Sequence, residues 1–324
     1  MIIIDSEKVP EYAATLQDIE QPIAKRVSSL WCLRTVASLE AVEGLFKAFE
    51  IEQKSELLKH EICYALGQMD KSPEHVQKIQ DFLEKVLDGD YPKIVLHEAV
   101  EALGNINSEN TLKLLKRFEN EPSEILYETC FLTIKLVEWR EATENGKKEG
   151  LNLAKLKFNT TNDPAPPFNY IREPKYKDIA FLEQIILDNE NYNLFDRYRA
   201  LFTLRELNTE EAVVAMCQCL TRENSRKCSA LLKHEVAFIL AQMEEVCRVA
   251  VPFLIDCVSN EEEAPIVRHE VLVSLGDMID DKSMLEQFVD HHDLIVNESC
   301  QVAFSYIDNR LAIKEYEDKI NKQE

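Results

Sequence analysis

The apolar positions of the chain recur with the spacing of an amphipathic α-helix. Side chains at i, i+1, i+3, i+4 and i+7 lie on one face of a helix with 3.6 residues per turn. The stretches that begin at Arg197 and Asn297 share this form. The pattern predicts helices that each bury one face, and it is clearest in one run of apolar residues: Ile62, Cys63, Ala65, Leu66 and Met69.

The helical pattern belongs to a long internal repeat. The 15 residues 55–69 reappear as residues 229–243, with nine of the 15 positions identical. A second motif, residues 95–104, recurs as residues 267–276. The two offsets, 174 and 172 residues, are nearly equal, so the chain is one ancestral half used twice.

Each half contains further copies of the same unit. Aligned on their apolar positions, the copies are separated by 33, 37 and 30 residues and then by 36, 35 and 28. These periods are typical of HEAT or armadillo repeats, in which each helical hairpin buries its face against its neighbours. We predict an all-α fold, an α-α superhelix of eight HEAT-like helical hairpins in two pseudo-symmetric halves. The alignment places helix starts near eight marker positions: Val27, His60, His97, Tyr127, Tyr198, His234, His269 and Asn297.

The repeat pattern stops between about residues 144 and 177. This segment contains the Asn- and Pro-rich stretches 159–168 and 172–175, which cannot continue a helix. We therefore expect an N-terminal four-repeat half at 1–143, a linker at 144–177 and a C-terminal four-repeat half at 178–324. The charged tail after Arg310 is expected to be helical or frayed.

The amino-acid composition agrees with a helical fold and indicates the cellular compartment of the protein. Only seven of the 324 residues are glycine and 45% are hydrophobic, which favours helix. No apolar run reaches the length of a membrane span, and the apolar start at residues 1–5 is too short for a secretory signal. The nine cysteines form no Cys-x-x-Cys motif, which indicates reduced packing residues. We expect a cytoplasmic protein that does not interact with membranes and is a monomer.

The formal net charge of −22 limits the kinds of partner that the protein can bind. Such an acidic surface repels nucleic acid and anionic lipid. It suits a cationic partner, although plain solubility explains the charge equally well.

Candidate chemistry lies in four His-Glu pairs. The chain has only seven histidines, and four of them are followed directly by glutamate, at the same register of two adjacent repeats in each half. Repeats one, four, five and eight lack the pair but keep the apolar pattern, so packing does not require it. The eight residues are candidate metal ligands: His60, Glu61, His97, Glu98, His234, Glu235, His269 and Glu270.

Helix geometry suggests how these pairs would meet. Neighbouring residues on a helix point about 100° apart, so one pair does not easily complete a metal site. Packed helices lie about 8–10 Å apart, so two adjacent helices can direct four side chains at one ion. If the two halves close face to face, their ions share a bridged site. Imidazole and carboxylate without thiolate suit iron, manganese or sometimes zinc.

Other sites and functions fit less well. No Glu-x-x-His motif of ferritin-like bundles and no His-Glu-x-x-His motif of zinc proteases is present. We interpret His75, His291 and His292 as surface residues. A non-catalytic HEAT scaffold that binds proteins on its concave face is the main alternative, and a hydrolase with the same metals stays open. A HEAT-like bilin lyase would have no use for paired His-Glu motifs.

At these residues the chain resembles the deoxyhypusine hydroxylase family. The number, register and spacing of the four pairs match the family, as do three stretches: residues 59–69, 163–167 and 297–303. The resemblance covers nearly the whole chain. The departures, at Leu96, Ala241 and Asn297, remove no candidate ligand.

The resemblance implies an O2-dependent monooxygenase with two iron ions in a dinuclear site, ferrous in the reduced form. Its substrate would be the deoxyhypusine side chain of translation initiation factor 5A, and its product hypusine. One iron would bind His60, His97 and Glu98, and the other His234, His269 and Glu270. Glu61 and Glu235 would lie beside the metals as the catalytic candidates that hold the substrate amines.

Overall fold

The computed structural model is helical wherever it has regular structure. It describes residues 5–69, 72–106, 110–118, 121–244 and 246–321, and no strand occurs in these ranges. The predicted all-α class is therefore confirmed.

The chain divides into two compact units between Asn169 and Tyr170, inside the segment expected to be a linker. The first unit consists of four helical hairpins. Their helices are α1 (Val9–Gln17) and α2 (Ile23–Val36), α3 (Leu39–Ile51) and α4 (Glu56–Gly67), α5 (Pro73–Leu87) and α6 (Lys93–Ile106), and α7 (Thr111–Leu115) and α8 (Glu124–Thr143).

The second unit repeats this arrangement. Its last hairpin begins with a 3₁₀ helix, Lys282–Phe288, and ends with the longest of the described helices, α15 (Leu294–Asn321), so the tail is helical from Arg310 to Asn321. Its first three hairpins are α9 (Ile179–Leu187) and α10 (Leu194–Leu207), α11 (Glu210–Cys217) and α12 (Ala230–Gln242), and α13 (Val251–Val258) and α14 (Pro265–Met278). Together with the last hairpin they make four, so the prediction of four hairpins in each half is confirmed.

The second helices of consecutive hairpins pack directly on one another. In the first unit α4 packs between α2 and α6, and α8 packs on α6. In the second unit α12 packs on α14, and α14 on α15. Residues at the same register of adjacent second helices are therefore neighbours.

The predicted helix starts are wrong by about one turn. His60 lies four residues after Glu56, where α4 begins, because the Ser55 side chain accepts a hydrogen bond from the Leu58 N–H at 2.9 Å and caps the helix. Ser229 caps α12 in the same way. The marker positions thus lie inside the second helices, because the capped first turn precedes the apolar pattern.

A basic side chain ties the two helices of several hairpins together. Arg26 Nε donates to the Leu16 carbonyl at 3.0 Å, in the last turn of α1. In three other hairpins, the basic residue directly before the marker makes the same kind of bond. The carbonyls at helix C-termini lack intrahelical partners, so each bond satisfies one of them. The further examples are Lys59 to Phe49, Arg197 to Ile186 and Arg268 to Val258. Leu96 stands at this position in the third hairpin and has no donor.

The segment 144–177 contains two short 3₁₀ helices and no α-helix. Part of it is packed, since Ala165 and Phe168 are buried. Asn169 Nδ2 donates to the Glu149 carbonyl at 3.0 Å, and Trp139 Nε1 donates to the Glu149 carboxylate at 3.0 Å. Through Glu149, these two bonds attach Asn169 to α8, the last helix of the first unit.

All nine cysteines are free thiols, and eight of them are buried. Among the described helices, none is both long and apolar enough to cross a membrane.

Close packing of α4 on α6 depends on Gly67. A Cβ built at Gly67 would lie 2.7 Å from the Ala102 Cα and 2.9 Å from its Cβ. The Ala102 Cα belongs to the backbone of α6, which cannot move aside as the end of a flexible side chain would. The small residue at 67 therefore lets the two helices that carry His60 and His97 approach each other.

The substitution Gly67→Ala is expected to destabilise the protein by about 1–3 kcal/mol, because it overpacks a helix contact made by backbone atoms. Urea denaturation measures the change in the free energy of unfolding. Gly44→Ala is the comparison, since its added methyl would meet side-chain atoms, the Ala13 Cβ at 3.1 Å and the Leu33 Cδ1 at 3.8 Å, and no backbone atom of the described residues. An equal or smaller loss for Gly67→Ala would contradict the close approach.

Arg26 also forms a buried ion pair with Glu52, at 2.6 Å. Burial raises the pKa of Glu52, but hydrogen bonds from the Ser55 and Lys54 N–H groups, together with Arg26, lower it below its usual value. A carboxyl with a lowered folded-state pKa stabilises the fold at neutral pH. That contribution is lost as the pH falls through the folded-state pKa.

Arg26→Met should therefore cost about 3–5 kcal/mol at neutral pH, because it leaves Glu52 charged and buried. The double variant Arg26→Met/Glu52→Gln should lose less, since the amide oxygen still accepts from the backbone without carrying a charge. Urea denaturation at pH 7 compares the two. A double variant as unstable as the single one would show that the charge is not the cause.

Candidate metal centre

Two imidazoles and one carboxylate meet between α4 and α6 of the first unit. His60 Nε2 lies 3.3 Å from Glu98 Oε2, and His97 Nε2 lies 3.5 Å from the same oxygen. The two rings are stacked with centroids 5.6 Å apart. All three side chains are buried, and His97 is fully so. The register predicted from the sequence thus directs both Nε2 atoms at one carboxylate.

The second unit builds the same arrangement between α12 and α14. His234 Nε2 lies 3.5 Å from Glu270 Oε2, and His269 Nε2 lies 3.8 Å from it. The ring centroids are 6.4 Å apart, slightly farther than in the first unit. His269 is fully buried, like its counterpart His97. The duplication in the sequence therefore produces two corresponding clusters, of which the second is slightly wider.

The remaining two glutamates have a different position. Glu61 Oε1 lies 3.5 Å from His60 Nδ1, so it contacts the opposite ring nitrogen from Glu98. Its side chain is 12% exposed, against 4% for Glu98. Glu235, the equivalent residue of α12, is also buried. Glu61 therefore does not share the Nε2 side of His60 with Glu98.

The carboxylates make the first cluster strongly attractive to positive charge. Burial would lower the pKa of the His60 imidazole, but hydrogen bonds to Glu61 and Glu98 raise it to about 10. A buried carboxylate needs a compensating cation or hydrogen bonds. The cluster provides a place where a proton, or a metal ion in its stead, offsets the negative charge.

The donor atoms fit a transition-metal ion. His60, His97 and Glu98 each offer a ligand atom within 4.8 Å of the others, all at buried residues. Ligands about 2.1 Å from one ion lie roughly 3.0–3.4 Å apart at angles of 90–109°. The two distances to Glu98, 3.3 and 3.5 Å, are close to that range. Two imidazoles with one carboxylate are typical of non-haem iron sites with open positions.

Two hydroxyl groups that are not predicted from the sequence contact histidines of the clusters. Thr129 Oγ1 lies 3.5 Å from His97 Nδ1, and Ser299 Oγ lies 2.8 Å from His269 Nδ1. Both residues stand two positions after the marker of the last hairpin of their half. That shared register was a visible signal, although neither residue type by itself suggests a site.

The other histidines are placed differently. His292 is exposed and His75 is half-buried. The prediction of a surface position is wrong for His291, whose side chain is only 7% exposed. His291 and His292 could form a ligand group with Glu261. Arg268 already contacts both Glu261 oxygens, at 3.2 and 3.3 Å, so a fixed positive charge disfavours a cation there.

Curated relatives match the chain over nearly its whole length. The chain is 33% identical over 304 residues to deoxyhypusine hydroxylase of Drosophila pseudoobscura pseudoobscura, covering 93% of the chain and 92% of that relative. It is 33% identical over 304 residues to the Homo sapiens enzyme, covering 93% and 91%. No family model matches the chain.

A solved structure shows the same fold. The structure of human deoxyhypusine hydroxylase in complex with glycerol matches with a TM-score of 0.78 and 32% identity, over 94% of this chain and 96% of that one. The likeness in sequence and in structure spans nearly the full length of both proteins. The chain therefore belongs to the deoxyhypusine hydroxylase family of enzymes.

Proposed function

We propose that this chain hydroxylates the deoxyhypusine side chain of translation initiation factor 5A to hypusine, using O2 and two bound iron ions, one in each unit. The observation that carries the proposal is the pair of buried clusters, each with two Nε2 atoms around one carboxylate oxygen. The name shared by the relatives supports the substrate.

Three residues of each cluster would be the iron ligands. His60, His97 and Glu98 would hold iron in the first unit, and an equivalent set would do so in the second: His234, His269 and Glu270. Iron supplies activation of O2, which a protein side chain cannot do alone. One oxygen atom enters the substrate C–H bond and the other leaves as water, with two electrons and two protons from a reductant.

Burial of the cluster serves this chemistry. His97 and His269 have no exposed surface, and Glu98 is 3% exposed. Enclosure of a site strengthens its electrostatic interactions and limits side reactions with water. The same enclosure orients the imidazoles, since packed side chains cannot change rotamer freely.

Glu61 is placed to receive the amine-bearing side chain of the substrate. It is the more exposed carboxylate of the first cluster and contacts His60 on the side away from Glu98. An ammonium group gains a charge-assisted hydrogen bond from such a carboxylate. We propose the same role for Glu235. The net charge of −22 would favour approach of a cationic segment.

The free thiols suit a reducing compartment, and we propose that the enzyme acts in the cytoplasm.

Purified protein reconstituted anaerobically with ferrous ion is expected to bind about two irons per chain, since each unit has one complete His-His-Glu set. His60→Ala and His234→Ala should each lose about one of the two irons and most of the hydroxylase activity. Metal analysis by mass spectrometry and a deoxyhypusine hydroxylation assay measure the two effects.

His75→Ala is the control, because this histidine lies on α5 and belongs to no ligand group among the described residues. It should keep both irons and full activity. Binding of no iron by the wild-type protein, or full iron in both cluster variants, would contradict the assignment.

Glu61→Gln is expected to keep two irons and to raise KM for the protein substrate roughly 10- to 100-fold, the equivalent of one hydrogen bond to a charged group. Steady-state kinetics at fixed O2, with iron counted on the same sample, test this role. Loss of iron without a rise in KM would instead make Glu61 a metal ligand.

A further inference from the structure

Each unit places a hydroxyl group against the Nδ1 atom of one cluster histidine. Ser299 Oγ lies 2.8 Å from His269 Nδ1, and Thr129 Oγ1 lies 3.5 Å from His97 Nδ1. Both hydroxyls belong to the helix that packs next to the histidine, α15 on α14 and α8 on α6. All four side chains are buried.

The proton of each hydroxyl is already used elsewhere. Ser299 Oγ donates to the Ile295 carbonyl at 2.6 Å, and Thr129 Oγ1 donates to the Ile125 carbonyl at 2.7 Å. A hydroxyl has one proton and two lone pairs, so towards the imidazole each oxygen can only accept. The partner nitrogen must then be the donor, and Nδ1 must carry the proton.

A neutral imidazole that is protonated at Nδ1 has its lone pair at Nε2. In both histidines Nε2 is the atom that faces the cluster carboxylate, at 3.5 Å in His97 and 3.8 Å in His269. We propose that Thr129 and Ser299 are positioning residues that fix the tautomer of His97 and His269, so that Nε2 is the nitrogen presented to iron.

The register of the hydroxyls supports this role. Thr129 and Ser299 each stand two positions after their marker and contact the histidine of the preceding hairpin. Hydroxyls occupy this position in the fourth and eighth hairpins, directly after the two fully buried histidines. The four hairpins that carry the pairs have apolar residues there: Ile62, Ala99, Val236 and Val271. Ser29 has this register in the first hairpin.

The two units are not equally dependent on the hydroxyl. Glu101 Oε1 also lies near His97 Nδ1, at 3.6 Å, and can accept the same proton. The equivalent residue in the second unit is Val273, which has no polar side-chain atom. The shorter hydroxyl contact belongs to Ser299. Removal of the Ser299 hydroxyl should therefore have the larger effect.

The inference rests on the proposed iron sites, but its first test needs no metal. Two-bond 1H–15N correlation spectra of apo-protein labelled at histidine report the tautomer of each neutral ring. Wild-type His269 should be the Nδ1–H form, Ser299→Ala should give a mixture of tautomers, and Ser299→Thr should restore the single form. Thr129→Val provides an independent test at His97 should Ser299→Ala fail to fold.

The second measurement is the affinity for ferrous ion, determined by competition with a chelator. Loss of a residue that orients a ligand typically weakens metal binding 10- to 100-fold. We expect this loss for the second-unit site in Ser299→Ala and recovery in Ser299→Thr. Ser29→Ala is the matched control, because it removes a buried serine hydroxyl at the same register, in a hairpin outside the two clusters.

The outcomes separate the two proposals. An unchanged His269 tautomer in Ser299→Ala, with iron affinity within twofold of a normally loaded wild type, would overturn only the role of the hydroxyls. A wild-type protein that binds no ferrous ion would overturn the iron sites and, with them, this role.

Discussion

The structure depends on direct stacking of the second helices of consecutive hairpins. Because α4 packs on α6 through Gly67 and Ala102, side chains at one register of two helices can reach a common point. A single helix cannot achieve this, since its neighbouring residues diverge by about 100°. Two imidazoles and one carboxylate per unit are brought together by packing that also forms the apolar core. Function and fold thus share one constraint, the distance between adjacent second helices.

Buried charge is the second feature that organises the molecule. Each cluster encloses carboxylates that are costly to bury without a cation, and in the first unit Glu61 and Glu98 raise the pKa of the His60 imidazole to about 10. Outside the clusters, some buried cations pair with carboxylates, as in Arg26 with Glu52 and Lys233 with Glu263, whereas Lys59 and Arg197 bind backbone carbonyls. The structural cations hold hairpins together, whereas the clusters have ligand atoms arranged around a shared carboxylate oxygen.

Much of this could be predicted from the sequence. The duplication and the 3.6-residue apolar period predicted eight hairpins, because those signals arise from burial of one face per helix. The His-Glu pairs stood out because they recur at one register without being needed for packing. The predicted helix starts lie about a turn too late because caps such as Ser55 lie outside the apolar pattern. The contacts of Thr129, Ser299 and His291 could not be predicted, since they depend on which face of a neighbouring helix each side chain meets.

The central claim is that each unit holds iron between two Nε2 atoms and one carboxylate. The most direct test is diffraction from crystals of the iron-loaded protein, with data collected on both sides of the iron absorption edge. The account predicts one anomalous peak beside His60, His97 and Glu98, and one beside the equivalent set of the second unit, His234, His269 and Glu270. Anomalous peaks that avoid these residues, or none in protein that contains iron, would contradict it.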